Sequence, residues 1–370
     1  MTKCINNQSH CLFFRRLKAA IPCRKCAGVA YCSTFCRDEA EDSHHKYECE
    51  FHDLLTGLGC SQVARLALRM ITIKSFQFFL NLKPKLASLP GSDNTSEDES
   101  DYLRVYNLVG LEEKRWPEEN LIRATLAIVL LSILRASGYF DIKKSSTSGD
   151  SFSPNEIFFG SLLLKHLQIL QFNAHEVYEI IRGSKSTLKP SKNVVIGLAI
   201  YPTASYFNHS CHAGLARCFQ GKEMILRCLH PIKRGQEVSE NYGHAFYFKS
   251  KSDRKKELNA RYWFECGCVA CEENWPLLDK LPKEEVENNV EKSAHIKLYE
   301  KGVNSMNQAK IEDALTHFKI FANHYYQEGG SVSKMCQELV RAEDKVRTCI
   351  SNLGNVVFTE DLVHAGLDKK

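Results

Sequence analysis

Three thiols fall within the segment "FECGCVAC": Cys266, Cys268 and Cys271. A closed tetrahedral zinc site needs four ligands, so one position is left for a residue from elsewhere in the chain. Cys211, in "SYFNHSC" at 205–211, is a candidate. Read without those thiols, Asn208, His209 and Ser210 are a polar turn whose side chains bond their own backbone. A second group has the pattern C-x2-C-x5-C-x3-C-x8-H-x3-C over 23–49: Cys23, Cys26, Cys32, Cys36, His45 and Cys49. Two to four intervening residues let a close pair converge on one ion. Six ligands exceed one zinc and fall short of two closed sites, so the missing pair is expected upstream. That segment offers Cys4, His10 and Cys11, with Phe14 where a C-x2-C partner of Cys11 would stand. Either Cys4 or His10 substitutes, or the first site is damaged. The set Cys23, Cys26, His45 and Cys49 is complete, and spacing to Cys49 favours His45 over His44. Cys32 and Cys36 would share the other site with the upstream residues.

These clusters sit in a chain of 370 residues, long enough for two or three domains. Hydrophobic content of 44% and charged content of 25% are those of a folded globular protein. A net charge of +5 is only mildly basic, and the first cysteine group lacks the basic helix of a DNA-reading finger. Nucleic acid is therefore not the expected partner. The opening "MTKCINNQSHC" carries no apolar core of a secretory signal. The run "ATLAIVLLSIL" at 124–134 is too short to span a bilayer and reads as a buried helix. The reading is a reducing compartment, where 16 cysteines are metal ligands and buried thiols rather than disulfides. Cys60, Cys218, Cys228, Cys336 and Cys349 are isolated and are expected as small core residues.

The elements that must position the clusters follow from the pattern. Residues 52–88 show helical spacing, 89–101 is an acidic polar loop, and 116–137 is helical again. A second polar linker is expected at 143–156 and a helical stretch at 157–183. From 193 the chain turns to short β-rich runs broken by Pro and Gly, with "KRGQEV" as a turn between strands. Beyond 285 everything reads as helical, with two antiparallel amphipathic helices in which Gly302, Ala314 and Phe318 match a tetratricopeptide unit as well as a plain hairpin.

The first cysteine group resembles the MYND zinc finger, which implies a module that binds short proline-rich peptides. The pair "NHSC" and "ENYG" at 240–243, followed by the Cys266–Cys271 group, resembles the core and post-SET zinc cluster of SET protein lysine methyltransferases. In that family the NHSC cysteine completes the post-SET zinc, the role implied for Cys211. The order of finger, helical insertion, core, post-SET cysteines and helical C-terminus is similar to the SMYD (SET and MYND domain) family, in its subgroup with tetratricopeptide repeats. The expected class is α+β. The expected domains are a finger at 1–50, an insertion at 51–192, the C-terminal half of the SET core at 193–244, a post-SET segment at 245–275 and helices at 276–370.

The resemblance further implies methyl transfer from S-adenosylmethionine to a lysine of a histone or non-histone protein. It implies two Zn2+ ions, or three if the first finger site is intact, and a location in cytoplasm and nucleus. Tyr242 and Tyr262 match the catalytic and channel tyrosines; Asn208, His209, Asn173 and Phe264 match cofactor contacts. A lysine amine has an ordinary pKa of about 10.4, so a narrow apolar channel must help it shed a proton. The sequence departs from the family in one respect: no Gly-x-Gly half-sheet is found, and nothing before residue 10 is expected to supply strands. On this reading the chain is N-terminally truncated and the remaining strands carry a bare edge. The competing expectation is a non-catalytic zinc-binding scaffold.

Overall fold

The computed structural model describes residues 2–3, 10–13, 21–31, 33–86, 97–140, 151–188, 191–283, 290–326 and 335–359, with backbone alone at 2–3, 10–13, 97–98 and 290–294. The strands are β1 (Thr2–Lys3), β2 (His10–Phe13), β3 (Ile21–Pro22), β4 (Ala30–Tyr31), β5 (His175–Arg182), β6 (Ser191–Ile200), β7 (Leu215–Gln220), β8 (Glu223–Cys228) and β9 (Val356–Phe358). The helices of the first half are α1 (Thr34–Asp42), α2 (His45–Glu48), α3 (His52–Gly57), α4 (Gln62–Thr72), α5 (Phe76–Leu86), α6 (Glu97–Tyr106), α7 (Pro117–Ala136) and α8 (Pro154–Asn173). Those of the second half are α9 (Lys251–Tyr262), α10 (Val269–Glu272), α11 (Val290–Asn307), α12 (Ile311–Asn323) and α13 (Gln337–Asn352). The class is mixed α+β. None of the described helices is long and apolar enough to cross a membrane.

The chain divides into two compact units: residues 8–176 with 196–205, and residues 1–7, 177–195 and 206–370. The first unit is mostly helical. Its core gathers Leu66, Met70, Phe79, Leu130, Leu134, Phe159 and Leu163 from α4, α5, α7 and α8. The start of α8 is written in its sequence. Ser153 and Glu156 form a reciprocal capping box, and Pro154 takes the first turn, where no N–H is needed. Within the core, buried His166 hydrogen-bonds Tyr102 Oη at 2.8 Å. The finger segment, with the β3–β4 pair, α1 and α2, belongs to this unit. Glu48 at the end of α2 anchors it: Arg69 of α4 donates to its two oxygens at 2.9 and 2.5 Å, and Thr72 donates at 2.9 Å. Backbone pairing of β2 with the C-terminal half of β6, Cys11 opposite Ala199, completes the unit.

The second unit packs the β7–β8 hairpin against α11, α12 and α13 through Cys218, Ile225, Ala314, Phe318, Val346 and Ile350. β1 pairs antiparallel with β8, and β9 pairs parallel with β5. The hairpin of α11 and α12 depends on one close approach. A methyl group on Gly302 would stand 2.8 Å from Cε1 of the Phe318 ring, which is fully buried.

Several expectations are corrected. Residues 175–182 are strand, not helix: α8 stops at Asn173 and the Val/Ile-rich run that follows is extended. Helix α6 already begins at Glu97 inside the expected loop, and α8 begins inside the expected second linker. Positions 89–96 and 143–150 of those two loops lie outside the described residues. A short strand, β9, interrupts the expected all-helical C-terminus. β1 does supply a strand before residue 10, so β8 has a partner where a bare edge was expected. After the Lys233–Gln236 turn no strand forms; the chain makes an isolated bridge at Glu240. Cys228 is exposed rather than buried, while Cys218, Cys336 and Cys349 are in the core as expected.

Two tests follow from this packing. Gly302→Ala gains about 1 kcal/mol of helix propensity but forces the Phe318 ring, at roughly 1–3 kcal/mol. Chemical denaturation of that variant will show a net loss of about 1 kcal/mol. Glu156 accepts from Arg135 at 2.5 and 3.0 Å and from Ser153 N–H at 2.8 Å. The Arg135 side-chain hydrogen bond holds its carboxyl down at about 2, below its ordinary 4.5. A depressed acid stabilises the fold above its unfolded pKa and loses that contribution as pH falls through the folded one. Arg135 is 36% exposed, so the contribution is discounted to about 2 kcal/mol. Glu156→Gln will be less stable by that amount at neutral pH, and the difference will vanish as pH falls towards about 2.

Candidate functional site

Cys211, Cys266, Cys268 and Cys271 meet in the second unit, with their sulfurs all within 4.8 Å of one another. Cys211 Sγ stands 3.9 Å from Cys266 Sγ and 3.6 Å from Cys271 Sγ. A disulfide needs a separation of about 2.0 Å, whereas sulfurs on a tetrahedral ion with bonds of about 2.3 Å stand roughly 3.8 Å apart. The four thiols therefore have the spacing of a zinc site. Hydrogen bonds from Cys211 and Cys266 hold the Cys268 thiol well below its usual range, while those to Cys266 and Cys268 push Cys211 up. Four sulfurs this close cannot all ionise without a cation among them. The Cys211 N–H also points at Cys268 Sγ, at 3.4 Å.

Arg254 carries this cluster from behind. It is 2% exposed, and its Nε and Nη2 donate to Cys211 Sγ at 3.2 Å and Cys271 Sγ at 3.4 Å. Its Nη1 donates to the carbonyls of Phe246 and Lys249. Sequence reasoning missed this residue, which stands among the basic residues of "KSKSDRKK" at 249–256. The available signal was spacing, since Arg254 and Leu258 stand one helical turn apart on α9 and both are buried.

A second cluster, in the first unit, joins Cys23, Cys26, His45 and Cys49. His45 Nε2 lies 3.2 Å from Cys23 Sγ and 3.5 Å from Cys26 Sγ, and Cys23 Sγ lies 3.7 Å from Cys49 Sγ. Mixed nitrogen and sulfur ligands on one zinc stand about 3.5 Å apart, so this set fits as well. Burial lowers the His45 pKa, favouring the neutral imidazole that a metal requires. His44, the alternative, turns its Nδ1 to Ser43 Oγ. Cys36 lies in the first turn of α1, and its N–H caps onto Ser33 Oγ. Cys32, Cys4 and the side chains of His10 and Cys11 lie outside the described residues.

The loop ending at Cys211 is interlocked with "ENYG". Glu240 N–H donates to Asn208 O and Ser210 N–H to Glu240 O, each at 2.9 Å. The Asn241 amide donates to Ser210 O at 3.0 Å, and Tyr242 N–H donates to His209 Nδ1 at 3.0 Å. That last bond fixes the tautomer: Nδ1 accepts, so Nε2 carries the proton and faces Cys211 Sγ at 3.3 Å. Phe246 N–H closes the loop onto Cys211 O at 3.0 Å.

Around this frame the aromatic residues collect. The Tyr242 ring lies 5.1 Å from Tyr262 and 5.4 Å from His209; Phe264 lies 6.0 Å from His209 and 6.3 Å from Tyr262. Trp263, between the two, adopts a left-handed conformation with φ of +59°, which ends α9 and turns Phe264 back towards Tyr262. Burial pushes the Tyr242 hydroxyl up to about 12, and that hydroxyl donates to Phe207 O. Asn208 Nδ2 donates to Glu237 at 2.8 Å. Asn173 lies in the other unit and closes the end of α8, its amide donating to Val109 O at 2.9 Å and Ile169 O at 2.7 Å. The structure thus brings Tyr242, Tyr262, Phe264, His209 and the four cysteines into one cluster.

Comparison with known proteins agrees with this geometry. The SET domain family matches residues 29–243, more than half of the chain. The chain is 27% identical over 319 residues to protein-lysine N-methyltransferase SMYD4 of Homo sapiens, covering 73% of this chain and 39% of that protein. It is 22% identical over 279 residues to a SET and MYND domain-containing protein of Dictyostelium discoideum, covering 72% and 70%. It is 28% identical over 101 residues to histone-lysine N-methyltransferase SMYD3 of Mus musculus, covering 27% and 23%. The chain spans about two fifths of the length of the SMYD4 proteins it matches.

Outer hydrogen bonds such as those of Arg254 are worth about 10- to 100-fold in metal affinity. Arg254→Leu will release zinc to a competing chelator faster by that order. Arg254→Lys will recover only part of the loss, because an ammonium cannot serve two sulfurs and two carbonyls in one plane.

Proposed function

The chain belongs to the SET-domain family, in its SET-and-MYND branch, and from that membership we propose that it transfers a methyl group from S-adenosylmethionine to a protein lysine. The observation that carries the reading is the aromatic cluster of Tyr242, Tyr262 and Phe264 built on the Cys211 loop. Aromatic faces at this spacing suit a cation or a flat heterocycle. When bound, S-adenosylmethionine supplies an electrophilic methyl group on a sulfonium. Tyr242 keeps its proton at working pH, because burial raises its pKa to about 12. Its hydroxyl donates to Phe207 O, so its oxygen presents lone pairs to an N–H of the incoming amine and does not compete as a nucleophile. The ring of Tyr262, 5.1 Å from Tyr242, would line the approach of the lysine side chain. Phe264 would stack on the adenine, with Asn208, His209 and Asn173 as further cofactor contacts.

In this reading both described cysteine clusters hold structural Zn2+: Cys211, Cys266, Cys268 and Cys271 in one, and Cys23, Cys26, His45 and Cys49 in the other. Cys11, Cys32 and Cys36 would contribute to a third. The finger would receive a proline-rich peptide, and the substrate would be a histone or another protein met in cytoplasm or nucleus. One observation favours the scaffold alternative. The side chains of Asn208, His209 and Asn173 already bond protein partners, so binding a cofactor requires some of them to exchange.

Calorimetry of S-adenosylmethionine with the zinc-loaded chain separates the two. The enzyme reading expects binding, retained in Tyr242→Phe. It also expects a methylation rate in that variant lower by about 100-fold, the usual cost of misplacing a reacting group. A folded, zinc-loaded chain that does not bind the cofactor contradicts it.

A further inference from the structure

Beside the Cys211 loop lies a group of side chains that methyl transfer does not use. His212, His230 and Glu343 place one ligand atom each within 4.8 Å of the others. His212 follows Cys211 directly, His230 follows β8, and Glu343 comes from α13. The His212 and His230 rings are stacked 5.1 Å apart at 22°, and His230 is stacked in turn on Tyr326 at 5.0 Å. Stacking with an edge contact to Phe246 fixes the imidazoles in place.

At His230 the proton is arranged for a ligand. His230 Nδ1 faces the Pro231 carbonyl at 3.1 Å. A carbonyl only accepts, so Nδ1 carries the proton and Nε2 presents its lone pair. That Nε2 is buried and has no hydrogen-bond partner among the described residues. Unpartnered buried nitrogen is costly, and an imidazole that donates its other N–H to a backbone carbonyl is the usual state of a metal-bound histidine. Glu343, 5% exposed, accepts from Tyr326 Oη on Oε1, which leaves Oε2 for the cluster. His212 Nε2 donates to Oε2 at 2.9 Å, and an ion bound there would displace that proton to solvent or to Nδ1. Ligand atoms on an ion with bonds of about 2.0–2.1 Å stand roughly 3.3 Å apart, so the pair need open by only a few tenths of an ångström.

We propose that His212 Nε2, His230 Nε2 and Glu343 Oε2 form a further metal site, distinct from both cysteine clusters, which takes Zn2+ with one coordination position left open. Two imidazoles and one carboxylate are a borderline donor set, suited to Zn2+ rather than to Mg2+ or Ca2+. The ion would bridge the residue after Cys211 to α13, and Tyr326 would hold the carboxylate from outside.

The test uses the full chain, dialysed to equilibrium against Zn2+ held by a weak chelator, with metal counted by mass spectrometry. His230→Gln removes a nitrogen that has no partner among the described residues, so the change of Nε2 orphans no hydrogen-bonded group. Glu343→Gln is the second variant. Each is expected to hold one zinc fewer per chain than the wild type. After exchange to Co2+, each should retain the full sulfur-to-metal charge-transfer absorption of the cysteine sites. In the wild type, ring 15N resonances of His212 and His230 Nε2 should shift on Zn2+ addition, a readout independent of any variant. Equal zinc content in wild type and His230→Gln, or unshifted Nε2 resonances at saturating Zn2+, would overturn the proposal and leave a hydrogen-bonded cluster only.

Discussion

The candidate site rests on the electrostatics of four sulfurs. Cys211, Cys266, Cys268 and Cys271 stand too far apart for disulfides and too close to ionise together without a cation. A bound ion makes that arrangement favourable, and with it the loop 208–211 is tied to the segment that follows α9. The proposed chemistry of the site is built on that tie. His209 can reach Tyr242 N–H because its other nitrogen is held at Cys211 Sγ. Tyr262 and Phe264 arrive at Tyr242 because they precede Cys266 in the same segment. Arg254 supplies positive charge from the opposite side, so the thiolates are compensated twice.

This division explains what could be read from the sequence. Metal ligands obey a local rule, since two thiols or a thiol and an imidazole must be a few residues apart to converge. The sets around Cys23 and Cys266 were therefore legible, down to the choice of His45 over His44. The start of α8 was open to the same kind of reading, because a capping box is written in neighbouring residues. Its end was not. No Gly or Pro follows Asn173, and Val177, Ile180 and Ile181 fit helical spacing as well as extended chain. Pairing with β6 and with β9, the latter more than 170 residues away, separates the two. Cys228 was misread for a related reason: its position at the end of β8 fixes its exposure, and its residue type does not.

Arg254 and the group around His212 lay beyond sequence reasoning altogether. A buried guanidinium on sulfur has no spacing rule of its own, and Arg254 is surrounded by lysines that are solvated. His212, His230 and Glu343 come from three separate parts of the chain and converge only when α13 packs beside the β7–β8 hairpin. Side chains that carry chemistry singly, without a local partner, are placed by tertiary packing.

On the proposed reading, an ion in the Cys211 cluster organises the loop and the aromatic residues together. The direct measurement is hydrogen exchange of the second unit with the cluster zinc-loaded and zinc-stripped. The amides of Ser210, Glu240, Tyr242 and Phe246, which bond Glu240 O, Asn208 O, His209 Nδ1 and Cys211 O, are expected to lose protection together on zinc removal, while α12 and α13 remain protected. Unchanged protection at those four amides in the stripped protein would contradict it.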